Sequence, residues 1–405
     1  MYHPLDVTIK INNETFFYEE CGARMKGNTS RNPNFVDSEG NIKSLVHFKI
    51  SFNQTFDDEE DNDYYIKTWS DSSLRKERKD RRFGHVKKFD LKYNKCEDGT
   101  FTKQAYAYEA FRSEGLLVEK DNLIKTTIKS QSDTRTEYYL AQECIDKEFL
   151  KYHLASDEAK GNLYKATYTS SGPADYTLDS LNRIGVESNS SKPSYDLKTN
   201  DDEIDNSLLE NLIKTLNNNK SSAANFKTTL ESLVDVESML KYHALAWVMG
   251  NPDDSRMNYN NHYVYFNSKT NKAIFIPYDF DRCLGILHTW DKDMSSLQPM
   301  TTKNIDRQWQ KNPLLWRLFL SETDSGVSYS ENYPVIVEYQ NRYKELVREY
   351  AEKYLSNDKF IEFTNSFYNA PNKNVNNAGG SSPSNQTFAY YANNKKRSIE
   401  EDTRM

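Results

Sequence analysis

The sequence predicts an α+β protein in two lobes, the first β-rich with one helix and the second mainly helical. Three observations carry that reading. Through residue 143 the apolar residues alternate, or run in short aromatic-rich segments bounded by turn residues, which is the strand pattern. From 144 to 365 helical spacing takes over, interrupted by one short hairpin. The remainder, 366–405, contains "NAPNKNVNNAGGSSPSNQ", too poor in apolar residues to pack, and is expected to be a flexible tail.

With 405 residues there is room for two or three domains, or for two lobes around one cleft. Hydrophobic residues at 37% supply a real core, and 28 Tyr and 20 Phe share its packing. The formal charge of −7, from 53 basic and 60 acidic residues, leaves no basic excess for a nucleic acid, and none is expected as partner. No apolar run reaches the roughly 18 residues that would predict a transmembrane segment. The opening "MYHPLDVTIK" lacks a signal-peptide pattern, as would a chain whose leader had been removed. Cys21, Cys96, Cys144 and Cys283 are scattered without a CxxC pair and read as free thiols.

Taken in order, "DVTIKI" and "TFFYEECGARMKG" flank the turn-like "NNE" and predict a hairpin. In "LVHFKISF", Val46, Phe48, Ile50 and Phe52 share one face while His47, Lys49 and Ser51 share the other. The acidic "DDEEDNDYY" and the basic "LRKERKDRR" are expected as solvated loops or strand flanks that partly neutralise each other. "KKFDLKYN" is a further strand. "DGTFTKQAYAYEAFRSEG" predicts a helix capped by Thr100 and stopped by Gly115, and a strand pair follows around "SQSD". "DKEFLKYHL", "NSLLENLIKTLNN" and "FKTTLESLVDVESMLKYHALAWVMG" then read as helices, with interruptions between 156 and 206. The hairpin "NHYVYFNSKTNKAIFIPYDFD" comes next. Trp-rich helical pieces follow it, then a long helix near "IVEYQNRYKELVREYAEKYL".

The chemistry concentrates at "GNPDDSRMNYNNHYVYF", where carboxylates and amides crowd a helix-to-strand junction. Oxygen donors in such number suit a hard cation such as Mg²⁺. Asn258 follows Asp253 by five residues, the D-x-x-x-x-N spacing of a protein-kinase catalytic loop, in which the Asp orients the acceptor hydroxyl and the Asn ligates metal. Asn261 offers a second amide. Where the hairpin returns in "FIPYDFDRCLG", Asp279 or Asp281 stands in the place of the metal-binding aspartate. Asn- and Asp-rich loops are ordinarily plain turns. It is the order of both elements around one hairpin, behind a strand-rich lobe with a suitable Lys, that favours phosphoryl transfer.

In the first lobe, "CGARMKGNTSR" offers Arg24, Lys26, Gly27, Asn28, Thr29 and Ser30 to phosphate, with Gly27 allowing close backbone approach. Lys49, on the polar face of its strand, and Lys92 are rivals for the phosphate contact. Glu109 is the expected ion-pair partner on the helix, with Gln104 as the alternative. The adenine is expected against the Glu143 region, with ATP between the lobes.

These segments together resemble the CotH kinases, a family named for a spore-coat protein and built on an atypical protein-kinase fold. The resemblance runs from about Gly22 to Gly285 and rests on "ARMKGNTSR", "HFKISF", "EDGTFTKQAYAYEAFRSEG", "GNLYKA", "VDVESMLKYHALAWVMGNPD" and "IPYDFD". "GNPDDSRMNYNNHYVY" fits the family's G-N-x-D-x-x-x-x-N-x-x-N-x-Y-x-Y loop without gaps. The resemblance implies an ATP- and Mg²⁺-dependent kinase, with Mn²⁺ as an alternative ion, acting on Ser or Thr of protein substrates. It assigns Asp253, Asn258 and Asn261 to the catalytic and metal loop. Asp279 becomes the metal-binding aspartate of a P-W/Y-D-x-D element, with Asp281 close behind. Lys49, Arg24 and the stretch from Lys26 to Thr29 become its nucleotide-binding parts. Tyr278 departs mildly from the usual Trp, and the charged insertion between Phe52 and Lys87 is this chain's own.

The expected setting is a spore coat, secretion or the cell surface, with the cytoplasm still open and the oligomeric state unread. Two other classes stay beside this one: an adhesin-like binding protein that keeps a kinase shell, and a kinase of small amino alcohols.

Overall fold

Asn12 adopts φ 53°, the left-handed conformation that a two-residue hairpin turn needs, and it joins β1 (His3–Ile11) to β2 (Glu14–Lys26) with Ile11 opposite Glu14. The structure is a computed structural model and describes residues 2–27, 30–56, 66, 71–188, 190–218, 220–256, 258–287, 313–314, 336–367 and 384–401. Asn28, Thr29, the acidic tract 57–65, nearly all of the Trp-rich pieces and residues 368–383 of the expected tail lie outside the described residues. The chain is α+β and divides into two compact units.

The first unit comprises Met1–Lys95 and Glu119–Tyr152. Its antiparallel sheet has the order β1-β2-β3-β4-β6-β5, with β3 at His47–Ser51, β4 at Lys88–Tyr93, β5 at Asp121–Lys129 and β6 at Thr134–Glu143. The predicted alternation sorts the two faces. Ile50 and Phe48 pack with Ala23, Leu91 and Tyr139, each burial worth about 1.5–3 kcal/mol for a large apolar side chain. On the other face the register aligns Arg24, Lys49, Asp90, Gln142 and Asp121 in a single cross-strand row.

The basic segment is a correction to the sequence reading. Asp71 caps a helix, α1 (Ser72–Asp80), by accepting from the backbone N–H groups of Ser73 and Leu74. Arg78 is buried and donates to the carbonyls of Gln54 (2.7 Å) and Glu19 (3.1 Å), and Arg81 donates to those of Phe52 (2.7 Å) and Glu19 (2.8 Å). Two arginines of the supposedly solvated run therefore satisfy carbonyls within β2 and in the segment after β3, which composition does not reveal.

The second unit comprises Cys96–Val118 and His153–Met405. The division departs from the boundary expected at 143, because α2 (Lys103–Ser113) groups with this unit. Tyr106 lies edge-on to Phe360, Phe363 and Phe388, and Phe111 packs on Phe280 and Tyr242. The cap also differs. Asp98, not Thr100, accepts the Lys103 N–H at 2.9 Å, and it accepts the Thr100 N–H and hydroxyl as well.

The predicted hairpin does not stand alone either. Strands β10 (His262–Phe266) and β11 (Ala273–Pro277) belong to a sheet of order β11-β10-β7-β9-β8, with β7 at Leu163–Ala166, β8 at Ile184–Gly185 and β9 at Tyr195–Leu197. These three short strands were hidden among turn residues. Helices α3 (Lys147–His153), α4 (Ser207–Leu216), α5 (Ala223–Leu233) and α6 (Val236–Met249) follow the sequence pattern, with α5 and α6 separated at Val234 and Asp235. Helices α7 (Val337–Tyr354) and α8 (Asn357–Phe367) complete the expected helical part.

The tail expected after 365 is partly ordered. Helix α9 (Phe388–Glu401) buries Phe388, Tyr391, Ala392, Lys395 and Ile399, a helical stripe in "FAYYANNKKRSI" that belongs to the main core. Phe388 stacks on Phe360 at 4.2 Å, and the Lys395 ammonium lies 3.8 Å over the Trp247 ring. Among the described residues no helix is long and apolar enough to cross a membrane. The four cysteines are free thiols.

Candidate active site

Helix α6 delivers the chain to the loop. It ends at Gly250, whose φ of 62° favours glycine and whose missing Cβ leaves room for the Tyr391 hydroxyl. Beyond it the loop is folded by its own amides. Asn251 accepts from the Asp253 N–H at 3.1 Å, while its Nδ2 donates to the carbonyl of Asp279 at 3.2 Å. One buried side chain thus ties the loop to the end of the hairpin. Asp254 and Arg256 form a fully buried ion pair at 2.6 Å, and Arg256 also reaches the Asn251 carbonyl. Breaking such a pair leaves a buried charge uncompensated, so it pins the loop.

Asp253 is the hub. Its Oδ1 accepts from Nδ2 of Asn258 at 2.9 Å and of Asn260 at 3.3 Å, and its Oδ2 accepts from Nη1 of Arg282 at 2.9 Å. Asn261 Nδ2 donates to the Asp253 carbonyl at 2.8 Å. Because Asn258 spends its amide nitrogen on Asp253, its Oδ1 is not engaged by that carboxylate.

At the end of β11, Asp279 holds φ 58°, a left-handed conformation that aspartate tolerates better than most residues. The Phe280 N–H donates to the Tyr108 hydroxyl of α2 at 3.4 Å, and the Leu284 N–H donates to the Met249 carbonyl at 2.7 Å. Asp281 Oδ2 accepts from the Cys96 thiol at 3.8 Å, and Asp281 Oδ1 lies 3.9 Å from Arg282 Nε. Burial lowers the Arg282 pKa, but the negative field of Asp281 and Asp253, with Asp279 adding to it, raises it on balance. Burial, then Asp281, pushes the Cys96 thiol up to about 12, so it stays protonated and offers no thiolate to a metal.

Among the described residues no three His, Cys, Asp or Glu side chains form a ready metal cage. The donor types still fit Mg²⁺. Two carboxylates and an amide oxygen are hard ligands, and Mg²⁺ keeps waters and substrate phosphates in the remaining positions. Asp279 and Asp281 with Asn258 Oδ1 are the residues that would hold it, and Asn261, whose nitrogen likewise donates to the loop backbone, offers a second amide oxygen of the same kind.

In the first unit, Asp90 collects the cations. Its Oδ1 pairs with Lys49 at 2.9 Å and its Oδ2 with Lys26, and Lys49 also contacts the Cys144 thiol. Lys92 is buried two residues farther along β4. Arg24 lies beside Lys49 across the strands and over the Tyr2 ring at 5.5 Å. Gly27 has φ 90°, and the Ser30 hydroxyl donates to the Lys26 carbonyl at 2.7 Å. Glu143 accepts from the Lys120 N–H at 2.7 Å and bonds His85.

The helix carboxylate expected to partner the lysine does something else. Glu109 pairs with Arg112 one turn along its own helix, and the carboxylate on Lys49 is Asp90. Asp90 sits in "KKFDLKYN" with the same alternation as Lys88 and Lys92, so the polar face was readable, although the pairing was not. Gln104 is buried, and its Nε2 has no hydrogen-bond partner among the described residues.

Burial opposes ionisation of Asp90, but Lys26 and Lys49 outweigh it and hold its pKa below the usual carboxylate range. A depressed folded pKa stabilises above the unfolded value of 3.8, and that stability is lost as acid protonates the group below it. Asp90→Ala leaves two partly buried ammonium groups without their buried carboxylate. We expect it to cost about 3–5 kcal/mol in urea unfolding at neutral pH, with the difference from the parent shrinking below pH ~4.

Arg282, Asn251, Asn260 and the Asp254–Arg256 pair were not singled out from sequence. Only Arg282 carried a signal, a lone cation directly after two aspartates.

A family model described as CotH kinase protein matches residues 54–400. The match starts after β3, so Arg24, Lys26, Gly27 and Lys49 precede it, and it runs on through most of α9. No curated protein matches the chain.

Proposed function

The chain belongs to the CotH kinase family, and from that premise we propose that it transfers the γ-phosphoryl group of ATP to Ser or Thr of a protein substrate, with Mg²⁺ or Mn²⁺, at a spore coat or cell surface. Membership supports a kinase. The acceptor and the residue roles are our reading, and so is a two-lobed kinase-like arrangement.

The observation that carries it is the Asp253–Asn258 hydrogen bond at 2.9 Å, made across the catalytic-loop spacing. It fixes a carboxylate and points an amide oxygen elsewhere, the division of labour phosphoryl transfer needs. Asp253 orients the acceptor hydroxyl and receives its proton as that oxygen bonds to the γ-phosphorus and the γ-phosphorus bond to the β-phosphate oxygen breaks, with ADP leaving. Three donors on its oxygens hold the Asp253 carboxylate in one orientation. Asn258 and Asp279, with Asp281, would hold Mg²⁺, which when bound supplies charge neutralisation to the polyphosphate. Lys49, kept charged by Asp90, supplies a positive group suited to phosphate, with Lys26 and Arg24 beside it.

Mg·ATP should raise the melting temperature, and radiolabelled ATP should label Ser/Thr-rich coat peptides. Asp253→Asn should keep the thermal shift and lose about 10²–10⁴-fold in transfer rate. Absence of both shift and label overturns the reading. Label appearing on choline or ethanolamine instead would move the protein to the small-molecule kinases.

A further inference from the structure

Arg282 is the positive charge among three carboxylates. Its guanidinium holds Asp253 at 2.9 Å, stands 3.9 Å from Asp281 and feels the field of Asp279. It is also well buried, with 13% of its side chain exposed against 17% for Asp253. A solvated arginine would screen its neighbours weakly, whereas a buried one bonded to a carboxylate is a strong local charge. These are the acidic groups that the proposed function assigns to divalent-cation and acceptor binding.

We infer that Arg282 is the resident counter-ion of this constellation and the positioning residue for Asp253, an inference that rests on the kinase reading of the loop. Two consequences follow from electrostatics alone. A fixed cation beside carboxylates competes with any second cation for their field, so Arg282 weakens binding of a bare divalent ion. The same guanidinium, by bonding Oδ2, leaves Oδ1 to the two asparagines and sets the carboxylate plane. Losing it would free the metal side while disorganising the acceptor side. A merely structural arginine would have neither signature, because its loss would loosen the loop and weaken both.

Arg282 stands between the two acidic ends of the constellation, bonded to Asp253 and 3.9 Å from Asp281. Arginine rather than lysine matters here. The planar fork holds Asp253 through Nη1 while its Nε edge stays near Asp281, whereas an ammonium is a single movable point.

The test uses the full chain and Mn²⁺ alone, followed by the paramagnetic resonance of the free ion. R282M and R282Q should bind Mn²⁺ several-fold more tightly than the parent, without nucleotide. In the phosphate-transfer assay both should lose about 10–100-fold in kcat with the KM for Mg·ATP little changed, and R282K should recover part of that loss. Unchanged or weaker Mn²⁺ binding in folded R282M and R282Q overturns the inference. So does loss of fold in both, which would make the guanidinium a structural plug. If the parent transfers no phosphate to any acceptor, the kinase reading fails separately, and the Mn²⁺ comparison still decides whether Arg282 is the counter-ion.

Discussion

Asp279→Asn is expected to reduce phosphate transfer about 10³-fold while the protein melts within a few degrees of its parent. The asparagine is chosen for the backbone. At φ 58° an alanine would add strain of its own, whereas Asn shares with Asp an unusual tolerance of the left-handed region. The substitution therefore removes one charge and little else. The carbonyl of Asp279 still accepts from Asn251, so the tie between loop and hairpin survives. In our reading the lost carboxylate oxygen is a principal cation ligand, and a neutral amide there binds Mg²⁺ more weakly. The signature is a lost Mg·ATP thermal shift together with lost label, in contrast to Asp253→Asn, which keeps the shift. Transfer at the parental rate would refute the role given to Asp279.

A chain ended after residue 383 is expected to be unfolded or insoluble, although what it loses looks in sequence like a polar tail. Phe388, Tyr391, Ala392 and Ile399 are buried, and large apolar side chains contribute about 1.5–3 kcal/mol each. Their sum is on the order of the whole stability of an ordinary domain. The loss also reaches the candidate site. The Tyr391 hydroxyl donates to the Val248 carbonyl at 2.9 Å, beside the Gly250 cap, and the Gln386 N–H donates to the Gly285 carbonyl at 2.9 Å. Asn385 accepts from the Leu287 N–H and donates to the Cys96 carbonyl, and Lys103 donates to the Gln386 carbonyl. A graded version separates stability from chemistry. Phe388→Ala should cost about 3–5 kcal/mol, read as a lower urea midpoint. Tyr391→Phe, which removes one hydrogen bond, should cost about 1 kcal/mol. A truncated protein that stays soluble with the parental midpoint would show that α9 is dispensable.

Local pattern accounts for much of what was legible. The alternation around Lys49 predicted its polar face, because side chains in a strand point to opposite sides with period two whatever the strand pairs with. The loop at Asp253 and Asn258 was legible for a similar reason, since five residues of turn-forming chain can fold only so far from each other. Helices α4 and α6 announced themselves by spacing and caps. Less visible were β7, β8 and β9, strands of two to four residues whose extended form is imposed by neighbours rather than by their own composition.

Local patterns of residue type carry the α+β class, the order of most strands and helices, and the chemical types gathered between 253 and 281. Packing in three dimensions chose the partners: Asp90 with Lys49, Arg112 with Glu109, Arg282 with Asp253, and α9 with the core. Those choices depend on register and on segments far apart in the chain, and no short-range periodicity encodes the distance between two such side chains.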